Sequence, residues 1–293
     1  MNKLSKVERA KVLNLLCEGN SIRAVTRLLN VGKNTIARLM LDAGKACAAY
    51  HDEHVRQLKS KRIQCDEIWS FVAAKQKNVA AMKSKVQGAG DIWTWTALDA
   101  DSKLIVSYFV GDRSSQSAMA LMDDLRGRLA NRVQLTTDGH KAYLEAVEGA
   151  FGADVDYAML EKINGTSPES AKGRYSPAEC IGAKKTRIEG KPKLSHVSTS
   201  YVERSNLTIR MQNRRFTRLT NAFSKKAENH AYSVALFVFF YNFCRQHKSL
   251  HGVTPAMEAD VTDRLWGIED IVALVEAEEV KPSKRGPYKQ RAA

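Results

Sequence analysis

Three acids stand in settings that ask for a partner: Asp66 inside the apolar run IQCDEIW, Asp138 at the end of VQLTTD, and Glu203 in SYVERSNLTIRMQNRRFTR. That last stretch, residues 200–218, holds five arginines and one acid. A carboxylate flanked by Ile63, Cys65 and Ile68 is costly if buried, unless a metal or another group compensates it. Asp138, directly before Gly139, also fits an ordinary Asp-Gly turn. Glu203 also fits a polar helix face, with Arg210 two turns further on. Charge arithmetic tilts the balance. One carboxylate cannot neutralise Arg204, Arg210, Arg214, Arg215 and Arg218, so the excess guanidiniums call for another anion, most simply a phosphate backbone. Glu203 would then face phosphate as well, which is unfavourable unless metal lies between them. Carboxylates converging from separate elements onto divalent ions are what phosphoryl transfer requires.

At about 100° per residue, Asn206, Leu207, Arg210, Arg214 and Arg218 fall within about 60° of Glu203, with Val202, Ile209 and Phe216 displaced to one side. A helix over the whole stretch would aim the acid with that apolar stripe. RIQCDEIWSFVAAK, DIWTWTALDA and KLIVSYFVG read as three strands in meander order, the last two joined by a turn at DADSK in which Asp99 and Asp101 serve. A helix, SSQSAMALMDDLRGRLA, leads to the strand VQLTTD, and a second, HKAYLEAVEGAFG, to DVDYAMLEK. Residues 163–195 show no periodicity and read as a mobile basic loop; a long helix over about 224–245 closes the pattern. The layout is mixed α/β, one sheet covered by helices, in the strand order of a ribonuclease-H-like core. Within it Glu67 should face away from Asp66, Trp69, Trp93 and Trp95 should be core, and His140 either assists proton transfer or simply opens a helix.

The N-terminal residues carry three helical patterns. Ser5-Lys-Val-Glu8 is a capping box, Asn20-Ser21 opens a second helix, and the turn Asn30-Val-Gly32 precedes a third with Ile36, Leu39 and Met40 inward. Lys33, Asn34, Thr35 and Arg38 are left outward, the arrangement of a helix-turn-helix reading a DNA major groove. A plain three-helix bundle would look similar. The chain carries +14 net charge over 293 residues, which favours a polyanionic partner. Residues 182–218 hold ten bases and two acids, residues 257–280 eight acids and one base, and 281–293 five bases and no acid. Cysteines 17, 47, 65, 180 and 244 lack CxxC spacing, so the reading is a reduced cytosolic protein without disulfide framework or zinc site. The apolar run at 232–244 is too short for a membrane span and reads as a buried helix.

QCDEIWSFV, TTDGHKAY and YVERSNLTIR together resemble the acidic motifs of DDE transposases, specifically those of the IS-one insertion-sequence family. YNFCRQHKSLHGVTPA, 241–256, resembles the closing segment of integrase-type cores. The resemblance covers about residues 60–256 and implies that Asp66, Asp138 and Glu203 hold two Mg2+ ions, with Mn2+ able to substitute. It implies that Arg204, Asn206, Arg210, Arg214 and Arg218 lie against DNA, and that the protein acts on double-stranded terminal inverted repeats and target DNA. A homodimer or higher oligomer in the bacterial cytoplasm, associated with the nucleoid and not a membrane, follows from the same resemblance. The expected organisation is a helix-turn-helix domain at 1–45, a helical or flexible linker at 46–60, a catalytic domain at 61–256 with the basic insertion at 163–195, an acidic helical segment at 257–280, and a basic tail. The spacing of 65 positions from Asp138 to Glu203 exceeds the compact family pattern, and no cysteine-rich zinc element precedes the core. The alternative is a non-catalytic helix-turn-helix regulator descended from a transposase.

Overall fold

The computed structural model describes residues 3–165, 180–217 and 220–279. Strands β1 (Arg62–Val72), β2 (Gly90–Asp99), β3 (Ile105–Gly111), β4 (Gln134–Asp138), β5 (Asp156–Asn164) and β6 (Cys180–Glu189) form one sheet in the order β3-β2-β1-β4-β5-β6. The first three are an antiparallel meander, whose turn is held by Asp99 Oδ1 accepting from the Asp101 and Ser102 amides at 2.7 and 3.2 Å. β4 and β5 run parallel to β1, so each must be reached by a crossover. Helices α5 (Ser115–Arg128) and α6 (Ala142–Phe151) supply those crossovers. The expected α/β sheet flanked by helices is present.

The reading of 163–195 as an aperiodic loop is corrected over residues 180–189, which are β6, antiparallel to β5 at the sheet's edge. Its side chains are exposed or half-exposed on both faces, so no burial imposes an apolar alternation on the sequence. Lys184, Lys185 and Arg187 charge this edge, which discourages pairing with another chain.

Helices cover both faces. Leu121, Met122, Leu125, Tyr143 and Val147 of α5 and α6 pack on one face with Trp95, Leu135 and Tyr157. On the other, Val202 and Ile209 of α7 (Ser200–Gln212) and Val234, Phe237 and Val238 of α8 (Ala227–Phe239) pack on Ile68, Leu98 and Ile105. Trp95 is fully buried, as expected, whereas Trp93 and Trp69 are half-buried beneath Arg113 and Lys75. α8 continues into a π-helical turn, Phe240–Cys244. There Asn242 pairs the outer edge of β3 with its amide, accepting from Ile105 N and donating to Ile105 O, both at 2.9 Å.

The arginine-bearing helix is shorter than the angular argument assumed. α7 ends at Gln212, and Arg214–Phe216 form a 3-10 turn. Asn213 makes the break: its side chain donates to the Ser233 carbonyl at 3.0 Å and accepts from Arg215 N at 3.2 Å. Phe216 still reaches the α7–α8 core, but from the turn, and Arg214 does not continue the helix face.

At the N-terminus, α1 (Lys6–Cys17) opens with the Ser5–Glu8 capping box, followed by α2 (Ile22–Leu29) and α3 (Lys33–His54). α3 runs on as helix through 46–54, burying Ala46, Cys47 and His51. Gly44 permits this, because a methyl there would overlap the Tyr232 backbone of α8. The end of α3 is tied down by the buried Arg128, which donates to the His51 and Val55 carbonyls at 3.3 and 3.0 Å. Short helices α4 (Gln76–Val79) and α9 (Pro255–Glu258) lie in connections, and α10 (Ile268–Glu278) packs against α1. The acidic segment has a structural partner here: Glu276 and Glu279 pair with Lys6 and Arg9. The cysteines are free, and among the described residues no helix is long and apolar enough to cross a membrane. The tail at 281–293 lies outside the described residues.

Candidate active site

Strand pairing brings the two aspartates together. Cys65 of β1 is in register with Thr137 of β4, so Asp66 and Asp138 follow as the next pair on one face of the sheet. Carboxylate oxygens of Asp66, Asp138 and Glu67 all lie within 4.8 Å of one another. Asp138 also makes the expected turn, its Oδ1 accepting from His140 N at 3.1 Å. The His140 ring lies against Trp95, centroids 5.6 Å apart, with its pKa lowered by burial.

Glu67 sits on the opposite face, as alternation demands. Its buried carboxylate accepts from Arg113 Nε at 2.8 Å and from the Tyr143 hydroxyl at 3.3 Å. It nonetheless reaches within ligand-sharing distance of Asp66 and Asp138, which the alternation argument alone did not anticipate.

α7 lies over this pair because of Gln64, two residues before Asp66 on the same strand face. Gln64 Oε1 accepts from Tyr201 N at 2.9 Å and Val202 N at 3.2 Å, satisfying two orphan amides of the helix start. Asn206, one turn on, donates to Asp66 Oδ2 at 2.8 Å. Replacing Gln64 with Met strands those two amides, and the expected cost is about 1–3 kcal/mol in urea denaturation. An unchanged midpoint would remove Gln64 as the seat of α7.

Glu203 shares this helix face but lies outside the 4.8 Å cluster among the described residues. Both its carboxylate oxygens accept from the Lys162 ammonium, and Oε1 also accepts from Thr199 Oγ1. Lys162 is two residues beyond Leu160, the β5 partner of Asp138, and so shares the aspartates' face.

The charges are unevenly compensated. Burial, then the charges of Glu67 and Asp138, push the Asp66 carboxyl up to about 7, against the bond from Asn206. Burial and Asp138 likewise raise Glu67, which Arg113 opposes. Crowded carboxylates with raised proton affinity form a donor set suited to a divalent cation. Asp66 and Asp138 offer hard oxygen ligands on one sheet face, while Glu203 is held by Lys162.

The other expected contacts are scattered around this centre. Lys33, Asn34 and Arg38 are exposed at the start of α3, with Thr35 half-buried. Arg204 is exposed, and Arg210 and Arg214 are half-buried. Asn206 is 7% exposed and engaged with Asp66, so it faces the acids and not the surface. Arg218 lies outside the described residues. Gln64, Lys162 and Arg113 were missed by sequence reading. The only signal for Lys162 was its alternation with Leu160, useful once strand pairing is known.

No family model matches the chain, and no curated protein matches its sequence. Solved structures similar to it include a Mos1 strand transfer complex, 14% identical with TM-score 0.24, covering 54% of this chain and 59% of that one. A Mos1 transposase paired-end complex with the left transposon end is 14% identical with TM-score 0.20, covering 51% and 58%. A piggyBac transposase synaptic complex with hairpin DNA is 10% identical with TM-score 0.35, covering 94% and 71%. The chain thus spans less than two thirds of the Mos1 chains it matches. At these TM-scores none of the three carries fold or function over to this chain.

Proposed function

We propose that the chain is a metal-dependent DNA transposase of the DDE type with a ribonuclease-H-like core. The observation that supports this best is the placement of Asp66 and Asp138 side by side on parallel strands, beneath a helix that bonds Asp66 through Asn206 and carries Glu203 on the same face. The sheet order, with an antiparallel meander followed by two parallel strands, supports a ribonuclease-H-like fold. Asp66, Asp138 and Glu203 would hold divalent cations, Mg2+ or Mn2+. Such ions would supply Lewis-acid activation of the attacking oxygen and stabilise the leaving one. The chain's own residues orient the acids: Gln64 seats α7, Asn206 fixes the Asp66 carboxylate, and Arg113 withdraws Glu67 from the shared charge. Lys33, Asn34, Thr35 and Arg38 would read terminal inverted repeats as part of a helix-turn-helix, while Arg204, Arg210 and Arg214 would hold phosphates. Joining two element ends calls for at least a homodimer.

One observation favours a second reading, a non-catalytic DNA-binding regulator: Lys162 already neutralises Glu203. The two readings part on cation binding. For a transposase, Lys162→Gln frees Glu203 and tightens Mn2+ binding, read by electron paramagnetic resonance, by about tenfold for loss of a cation at ion-pair distance. For a regulator, Mn2+ binds neither form. The direct test is incubation of the purified protein with Mn2+ and duplexes carrying the sequences that flank its gene. Metal-dependent nicking and strand joining at those ends is expected, and their absence together with intact end binding would establish the regulator.

A further inference from the structure

Between the N-terminal helices and the segment after α7 lies a cavity of about 580 Å3. Met40, Phe223, Leu236 and Phe237 give it an apolar floor, and among the described residues its charged lining, Arg23, Lys33, Arg214, Arg215 and Lys225, includes no acid. Arg215 differs from the rest. Lys225, Lys33 and Arg23 are exposed to solvent, whereas Arg215, like Arg214, is half-buried, and burial lowers its pKa. Its hydrogen bonds go to neutral groups, the Phe223 carbonyl at 3.4 Å and the Met40 sulfur at 3.7 Å. The nearby imidazole of His230 is buried and pushed down to about 3 by burial and by Arg215, so it supplies no negative charge. Gln212, also lining the cavity, has a buried side-chain oxygen without a donor among the described residues.

A half-buried guanidinium whose hydrogen bonds go to neutral groups, set among further cations, is a seat for an anion. A bare phosphate would leave the apolar floor unused, and an apolar molecule would leave the cations uncompensated. A phosphate carrying an aromatic ring answers both. We propose that this cavity seats one unpaired nucleotide of a DNA strand, its phosphate on Arg215, Arg214 and Lys225 and its base against Phe223 and Phe237. The seat rests on the DNA-processing reading and deepens it. It lies at the C-terminal end of α7, and Asp66 is bonded to Asn206, six residues before that end, so roughly 9 Å of helix axis separates them, a nucleotide or two of extended strand. A base within a duplex cannot enter such a cavity, so the occupant is a frayed or displaced nucleotide.

The test uses the metal-free full chain and a fluorescein-labelled oligothymidylate of about twelve nucleotides, read by anisotropy. Arg215→Gln is expected to weaken binding about tenfold, the scale for losing a charge-assisted contact, while Arg126→Gln, on α5 across the sheet and paired with Asp154, leaves it unchanged. dTMP should compete, and thymidine and inorganic phosphate should compete far less. Should Arg215→Gln fold poorly, the double variant Arg214→Gln with Lys225→Gln is expected to show the same loss. Wild-type oligonucleotide affinity in these variants overturns the proposal. dTMP binding that depends on Arg215 while oligonucleotide binding does not also overturns it, in favour of a free-nucleotide site. An inactive protein whose oligonucleotide binding needs Arg215 refutes the transposase reading alone.

Discussion

Asp138→Asn is expected to reduce metal-dependent DNA cleavage and joining by at least about a thousandfold, because several kcal/mol of charge stabilisation at the reacting oxygens goes with a lost ligand. The fold should survive, since asparagine retains the Oδ1 that accepts from His140 N. Duplex binding should persist or tighten, one negative charge having left the surface that meets phosphate. Glu203→Gln should lose activity similarly, but with a different structural consequence: it releases Lys162, now paired to both carboxylate oxygens. Glu67→Gln is the control. Its carboxylate is occupied by Arg113 and Tyr143 on the other sheet face, so its replacement should cost stability more than turnover. Single-turnover cleavage with Mg2+ or Mn2+, alongside anisotropy for binding, separates the three. Full cleavage by Asp138→Asn would falsify the assignment of the acids.

The sequence carried the aspartates further than the surroundings that position them. Asp66 and Asp138 were legible because an acid inside or ending an apolar strand is expensive, and only parallel neighbours let two such acids compensate one another through a cation. The helical period put Glu203 and Asn206 a turn apart on α7, where Asn206 meets Asp66 and Glu203 meets Lys162. It failed at Arg214 because the helix stops on a tertiary contact, Asn213 to Ser233, that no local propensity announces. β6 was invisible for a different reason. A strand exposed on both faces carries no alternation, and its lysines look like loop. Gln64, Lys162 and Arg113 matter through partners 41 to 138 positions away, so their roles exist only after strand pairing is fixed. The acidic run at 257–280 read as a charge divider, yet at Glu276 and Glu279 its function is to neutralise α1.

In the presence of EDTA at pH 8, Asp66→Asn is expected to be more stable than the unmodified protein, by about 2–4 kcal/mol. The sign follows from proton linkage. The Asp66 carboxyl is raised from 3.8 to about 7, by burial first and then by its acidic neighbours. Between those values the folded state keeps a proton that the unfolded chain has released, so stability falls as pH rises through the window. Above about 7 the folded protein carries the full cost of a crowded, largely buried carboxylate. Asparagine has no such cost, and its Oδ1 can accept the bond that Asn206 now donates to Asp66. Urea denaturation should therefore find the two proteins close near pH 4 and separated at pH 8. Saturating Mg2+ should narrow or reverse the gap, because a cation that binds only the folded state stabilises the carboxylate form and gains less from asparagine. Parallel pH profiles for both proteins would show that Asp66 does not hold its proton, and a gap indifferent to Mg2+ would show that the cluster does not take the ion. Both effects together would make Asp66 a residue held at a cost to the fold for the sake of the cation it binds.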